Sequence, residues 1–94
     1  MDMNMKTLDK FGITAFDLME LIAQKHYDGH YTIMKFTTNY RFCFGTISYV
    51  SNYTAAIKYM AEGKTLEEAI INGIKNGIDS YKIDEQLSQI PELF

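Results

Sequence analysis

The segment that most constrains the fold of this 94-residue chain is KTLEEAIINGIKNG, residues 64 to 77. Thr65, followed three residues later by Glu68, forms a capping box, in which each side chain satisfies a backbone N–H at the start of a helix. Apolar residues then recur at helical spacing until Gly77, a residue type that commonly ends helices. Gly73 lies inside this apolar stripe, where glycine costs about 1 kcal/mol relative to alanine. We therefore expect a helix against which another element packs closely at Gly73.

A second strong helix signal is ITAFDLMELIAQKHYDGH, near the N-terminus. Thr14 is positioned to cap the backbone N–H of Asp17, whose carboxylate suits the positive end of the helix dipole. Apolar positions spread over more than half the circumference, so two neighbours are expected to cover the helix. The pattern predicts a helix from about 15 to 26, ended by Gly29.

Two further helices are indicated in the second half of the chain. SNYTAAIKYMAEG predicts a helix near 53 to 62, with Gly63 as its C-terminal stop. A short polar helix is predicted from about 79 to 89, halted by Pro91.

Between the first two helices, HYTIMKFTTNYRFCFGTI, residues 30 to 47, predicts a β-hairpin. A two-residue turn would mix aromatic and cationic side chains on both faces, so we favour a three-residue loop with Asn39 in the left-handed region. That register pairs Phe36 with Phe42 and Met34 with Phe44, and makes these four residues core. The opposite face is then expected to hold Lys35, Thr37, Arg41 and Cys43. The following TISYV, residues 46 to 50, either continues the strand or forms a short third strand.

The order of these elements predicts an α+β fold: an N-terminal helix, an antiparallel β-hairpin with or without a short third strand, and two to three helices packed on the sheet, mainly on one side. The length favours one domain spanning residues 1–94, with 1–12 and 91–94 as flexible termini.

Composition narrows the classes of function. A net charge of −3 gives no global attraction to nucleic acid or anionic lipid. A single cysteine, Cys43, excludes an internal disulfide and a cysteine-based zinc site. The N-terminal MDMNMKTLDKFG lacks the apolar core of a signal peptide, and no apolar run approaches the roughly 20 residues that span a bilayer. We expect a cytoplasmic protein without membrane association.

Catalytic and metal-binding signals are weak. His26, Asp28 and His30 lie two residues apart and carry groups that ligate metals. The end of a helix followed by a turn accounts for the same residues, and we favour this interpretation, so no metal ligands are predicted. Cys43 is a nucleophile candidate beside either histidine, but a strand cysteine is usually a small apolar filler. We expect no cofactor and no enzymatic activity.

A polar hairpin face left over after the core is filled favours a protein-binding module. We expect partner contact at Lys35, Thr37, Asn39, Tyr40 and Arg41, since tyrosine and arginine are frequent binding anchors. In style, the small acidic chain resembles phage and mobile-element inhibitors of bacterial host systems, including anti-defence proteins such as anti-CRISPRs. The alternative is single-stranded nucleic-acid binding, in which Tyr40 stacks on bases while Lys35 and Arg41 contact phosphate.

Two local resemblances add further partners. EGKTLEEAIINGIKNGIDSY is similar to the Gly-x-Thr-x-Glu-Glu-Ala helix of Hic-family antitoxins. That resemblance implies a toxin-neutralising domain, although this chain inserts a helix between hairpin and motif and lacks the family's proline-glycine loop.

The C-terminal QIPELF resembles the short peptides that dock on the bacterial sliding clamp. By that resemblance, Gln89 bonds at the rim of the clamp pocket while Leu93 and Phe94 fill its apolar floor. We favour the alternative, in which the tail folds back and covers the core of its own chain.

Overall fold

The computed structural model describes residues 14–47 and 53–88. Its elements run in the order α1 (Ala15–His26), β1 (Tyr31–Lys35), β2 (Tyr40–Phe44), α2 (Tyr53–Ile57), β3 (Ala61–Gly63), α3 (Leu66–Asn76) and α4 (Ser80–Leu87). The strands form one antiparallel sheet in the order β1-β2-β3. The predicted α+β class, with its N-terminal helix, hairpin and later helices, is confirmed. Within the described ranges, no helix combines the length and the apolar character needed to cross a bilayer.

Helices cover both faces of the sheet, not mainly one as predicted. Three successive residues of the central strand, Phe42, Cys43 and Phe44, are all buried. Alternate side chains of a strand point to opposite faces, so the two phenylalanines and the cysteine belong to separate cores. The Phe42 cluster contains Ala15, Met19, Ala23, Phe42, Phe44, Ala69, Ile70 and Ile71. The Cys43 cluster contains Cys43, Ile47, Ala56, Met60, Ile83 and Leu87.

The two strongest helix predictions are confirmed by their caps. In α1, the Asp17 N–H donates to Thr14 Oγ1 at 3.1 Å and the Thr14 N–H donates back to the Asp17 carboxylate at 3.4 Å. In α3, the Glu68 N–H donates to Thr65 Oγ1 at 3.1 Å, while the Glu68 carboxylate accepts from the N–H of Lys64, one residue before the cap.

The end of α3 and its close approach to the sheet also follow the sequence. Gly77 adopts the left-handed conformation, with φ of 60°, directly after the last residue of the helix. A Cβ at Gly73 would lie 2.5 Å from Cδ2 of Phe42. The glycine therefore lets the helix backbone settle onto the Phe42 ring.

The predicted hairpin register is wrong. Ile33 pairs with Phe42 and Lys35 pairs with Tyr40, so a four-residue loop, residues 36 to 39, joins the strands. The loop is closed by a 2.8 Å hydrogen bond from the Phe36 N–H to the Asn39 carbonyl oxygen. The prediction assumed that one face of β2 meets solvent, but β2 is buried on both faces, so alternation along it does not fix the register.

The corrected register changes which hairpin side chains form the core. Phe42 and Phe44 are buried as predicted, whereas Phe36 is 39% exposed and Met34 is only half-buried. Cys43, expected on the polar face, has no exposed surface.

The third strand lies elsewhere than predicted. β3 occupies part of the segment expected to be helical, because α2 ends at Ile57, and Gly63 belongs to β3 instead of ending a helix. A Cβ at Gly63 would overlap the backbone nitrogen of Ala69, so this strand packs against the start of α3. Residues 46 and 47 of TISYV form no strand, and the rest of that segment lies outside the described residues. The predicted short helix near the C-terminus is confirmed as α4. Pro91, predicted to end it, lies outside the described residues.

Candidate functional site

The loop that joins β1 and β2 contains part of the predicted partner site. The Asn39 side-chain amide donates to the Glu62 carboxylate of β3, which ties the loop to the far strand of the sheet. Beside the loop lies an open groove of about 440 Å³, lined by Thr38, Asn39, Glu62, Gly63, Lys64 and Glu68. We call the loop (residues 36 to 39) and this groove the hairpin end.

Phe36 is the apolar member of the hairpin end. Its side chain is 39% exposed, although its backbone is fixed by the loop-closing bond to Asn39. Sequence reasoning placed this ring in the core because the register was wrong. The available signal was the FTTN tetrapeptide itself, since four residues are a common loop length for hairpins.

Of the predicted partner residues, Thr37 and Asn39 lie in the loop, and Lys35 and Tyr40 border it as a cross-strand pair. The Lys35 ammonium lies 5.5 Å from the centroid of the Tyr40 ring, within range of a cation–π contact. Tyr40 also packs against the Phe42 cluster, so only part of its ring is accessible.

Arg41 points to the opposite face of the sheet. Its guanidinium donates to the carbonyl oxygens of Ile57 and Met60 at 3.2 and 3.3 Å, and lies 3.9 Å from the Glu62 carboxylate. These contacts hold the segment after α2 against β2. The structure thus groups four of the five predicted partner residues and gives the fifth a role in the fold.

The His26, Asp28 and His30 set lines a separate cavity of about 300 Å³ at the α1–β1 turn. Within the described residues, no three histidine, cysteine, aspartate or glutamate side chains are arranged to hold a metal ion. Asp28 adopts a left-handed φ of 55° and Gly29 one of 80°, which together turn the chain from α1 into β1.

Next to this cavity, Tyr27 stacks on Phe44 with ring centroids 5.2 Å apart, and its hydroxyl donates to Asp79 at 2.6 Å. Burial, followed by the bond to Asp79, raises the pKa of Tyr27 to about 12. Asp79 also caps α4 by accepting from the Lys82 N–H at 2.9 Å. The tyrosine therefore links the α1–β1 turn to α4.

Cys43 has the surroundings of a core residue. Burial is the main cause that raises the pKa of its thiol to about 12, with the charges of Asp79 and Asp84 adding to it against the lowering effect of the Thr32 hydroxyl. A thiol with this pKa is protonated at neutral pH, and the thiolate is the nucleophilic form.

The sliding-clamp residues Gln89, Leu93 and Phe94 lie outside the described part of the chain. Comparison of the chain with protein families, curated proteins and solved structures finds no match. The antitoxin resemblance accordingly rests on its local motif alone.

Proposed function

We propose that this protein is a non-catalytic protein-binding module that contacts its partner with the hairpin end. The observation that carries the proposal is Phe36, an aromatic ring that is 39% exposed on a loop whose backbone is held in place. Aromatic side chains dominate the binding energy of many interfaces, and a fixed loop lowers the entropy lost on binding.

The surroundings of Phe36 fit a small interface. Thr37 and Asn39 belong to the same loop and carry hydrogen-bonding groups, and the groove beside the loop adds the charged Lys64 and Glu68. An apolar anchor with polar residues in its own loop and in the adjacent groove has the composition of an interface core and its rim. The partner that fits is a protein with an apolar pocket for the ring and polar groups around it.

The most specific form of the proposal is a phage or mobile-element inhibitor that blocks a cytoplasmic bacterial host protein by direct contact, of the anti-defence or anti-CRISPR type. The small acidic chain and the absence of a catalytic set among the predicted site residues support it. Inhibition by direct contact requires a binding surface and no catalytic group in the inhibitor. The single-strand nucleic-acid alternative loses support because the Arg41 guanidinium already bonds to two carbonyl oxygens.

The test starts from immobilised protein and bacterial lysate, and continues with purified captured protein in calorimetry. We expect Phe36→Ala to weaken binding by roughly 10-fold or more, as loss of an anchor residue does. Leu21→Ala is the matched control, because Leu21 is 59% exposed and lies on the solvent side of α1. Equal affinity of the Phe36 variant and the unaltered chain would remove the hairpin end as the binding surface. Inhibition is then tested by whether the captured protein loses its own activity at saturating concentrations of this chain.

A further inference from the structure

We propose that two copies of this chain join through β1, edge to edge and antiparallel, into one continuous sheet. This inference is independent of the hairpin end, which the pairing leaves open. It rests on the outer edge of β1, on the side chains beside that edge, and on their self-complementary charges.

Among the described residues, the outer edge of β1 has no strand paired with its main-chain groups. Hydrogen bonds from the Gly45 N–H to His30 and from the Phe36 N–H to Asn39 show that even-numbered residues of this strand bond towards β2. In an antiparallel pair these directions alternate, so the N–H and C=O groups of Tyr31, Ile33 and Lys35 point outward. β1 is the edge strand, and within the described ranges no other strand pairs with this side of it.

The outer edge of β1 can pair antiparallel with the same edge of a second copy. With Ile33 opposite its own counterpart, Tyr31 of one copy lies opposite Lys35 of the other, and the three outward residues of each strand form up to about six main-chain hydrogen bonds. A two-fold axis perpendicular to the sheet relates the copies, so both Phe42 clusters lie on the same side. The strand order becomes β3-β2-β1-β1-β2-β3, and the two hairpin ends point in opposite directions.

Charge favours this register. The Tyr31 hydroxyl donates to the Glu20 carboxylate of α1 at 2.7 Å, which holds an acidic group beside the start of β1. In the paired edges, Lys35 of the second copy reaches this same position, and the contact occurs twice by symmetry. A lysine on an edge strand ordinarily discourages pairing with another strand. Here an acidic group is placed to receive it.

Apolar surface beside the edge supports the same contact. Ile33 is 38% exposed although its side chain shares a face with the buried Phe42. Phe16 is 37% exposed and lies one helical turn from Glu20, the residue of α1 that bonds to Tyr31 of β1. Pairing of the two edges brings Ile33 next to its counterpart and removes its exposed surface from water.

The test is sedimentation of the full chain between roughly 10 µM and 1 mM, the range in which small interfaces associate. We expect the mass to rise from 10.9 kDa towards twice that value. Lys35→Glu and Glu20→Lys each place like charges at both ends of the paired strands, so each should keep the chain monomeric. The double variant reverses both charges and should restore the dimer.

The control is Lys75→Glu, which makes the same charge reversal at an exposed residue of α3. It should leave the dimer intact. Amide exchange in the unaltered chain provides a readout that needs no variant: the N–H groups of Tyr31, Ile33 and Lys35 should gain protection as concentration rises. A chain that stays monomeric at 1 mM overturns the proposal, and protected β1 amides in that monomer would assign the edge to another segment of the same chain. A dimer that either single variant leaves intact, or that the double variant fails to restore, overturns it as well.

Discussion

Among single residues, Phe42 connects a strand and a helix on its side of the sheet. Its ring has no exposed surface, meets Phe44 edge to face with centroids 4.9 Å apart, and lies against the backbone of α3 at Gly73. Aromatic pairs in this geometry add stabilisation beyond their buried area. The Phe42 ring can pack at this position because Gly73 has no side chain.

Alanine at Phe42 and at Phe36 should therefore have unequal effects. We expect Phe42→Ala to lower the free energy of unfolding by about 3 to 5 kcal/mol, because it removes a buried ring and leaves a cavity. Phe36→Ala removes a ring that is already 39% exposed and should cost less than about 1 kcal/mol. Urea denaturation of both variants measures the difference, and comparable losses would mean that Phe36 belongs to the core.

At the scale of elements, the helices were easier to predict from the sequence than the strand pairings, because helix caps are made by residues close together in the chain. The caps of α1 and α3 each lie within four residues, so the sequence was enough to place both helices. Strand pairing is decided by contacts distant in sequence. β3 follows α2 and pairs with β2, and no local signal in AEG, residues 61 to 63, distinguishes it from the end of a helix.

In the candidate site, too, local features were predicted from the sequence and features set by distant contacts were not. Asn39 was predicted correctly as a loop residue because a hairpin tip between two strands is a local feature, whereas Thr37 was expected on the strand face and lies in the loop. The exposure of Phe36 and the contacts of Arg41 depend on register and on the position of α2, which local patterns do not contain.

Arg41 connects elements, so its removal should destabilise the fold. Arg41→Ala leaves the carbonyl oxygens of Ile57 and Met60 without their donor, and we expect a loss of about 1 to 3 kcal/mol in the free energy of unfolding. Arg41→Lys keeps the charge but not the forked donor geometry, and should recover only part of that loss.

The control for Arg41 is Lys35→Ala, which removes a cation from the same hairpin without breaking a hydrogen bond to α2. It should change stability by less than about 0.5 kcal/mol. Thermal melts at micromolar concentration suffice. An Arg41→Ala variant as stable as Lys35→Ala would show that the guanidinium contacts contribute nothing to the fold.

Across the whole molecule, β2 separates two cores, and each contains or contacts a titratable group that loses its proton only in alkali. Cys43 lies in one, and Tyr27 stacks against the other. Both groups are neutral when protonated, and burial raises the pKa of each to about 12. The bond to Glu20, with burial second, also raises the pKa of Tyr31. The folded chain thus retains protons that the unfolded chain releases in alkali.

Stability should therefore fall as the pH rises above 9. The unfolded Cys43 thiol ionises near its ordinary pKa of 9.0, whereas the folded thiol stays protonated to about 12. Between these values the folded state binds more protons, so rising pH favours unfolding by up to about 1.4 kcal/mol per pH unit from this group. Below pH 9.0 the stabilisation from the protonated Cys43 thiol is fully present. Above pH 10.0, Tyr27 and Tyr31 also lower the free energy of unfolding as the pH rises. Urea denaturation at a series of pH values measures the slope.

Two variants separate these groups. Cys43→Ala should flatten the loss of stability between pH 9 and 10, since no thiol remains to ionise, even though the variant is less stable at every pH because it leaves a small cavity. Tyr27→Phe should keep the loss in that interval and reduce it only above pH 10, where the unfolded tyrosine ionises. The same slope between pH 9 and 10 in the Cys43 variant and the unaltered chain would contradict the assignment of that slope to a buried thiol.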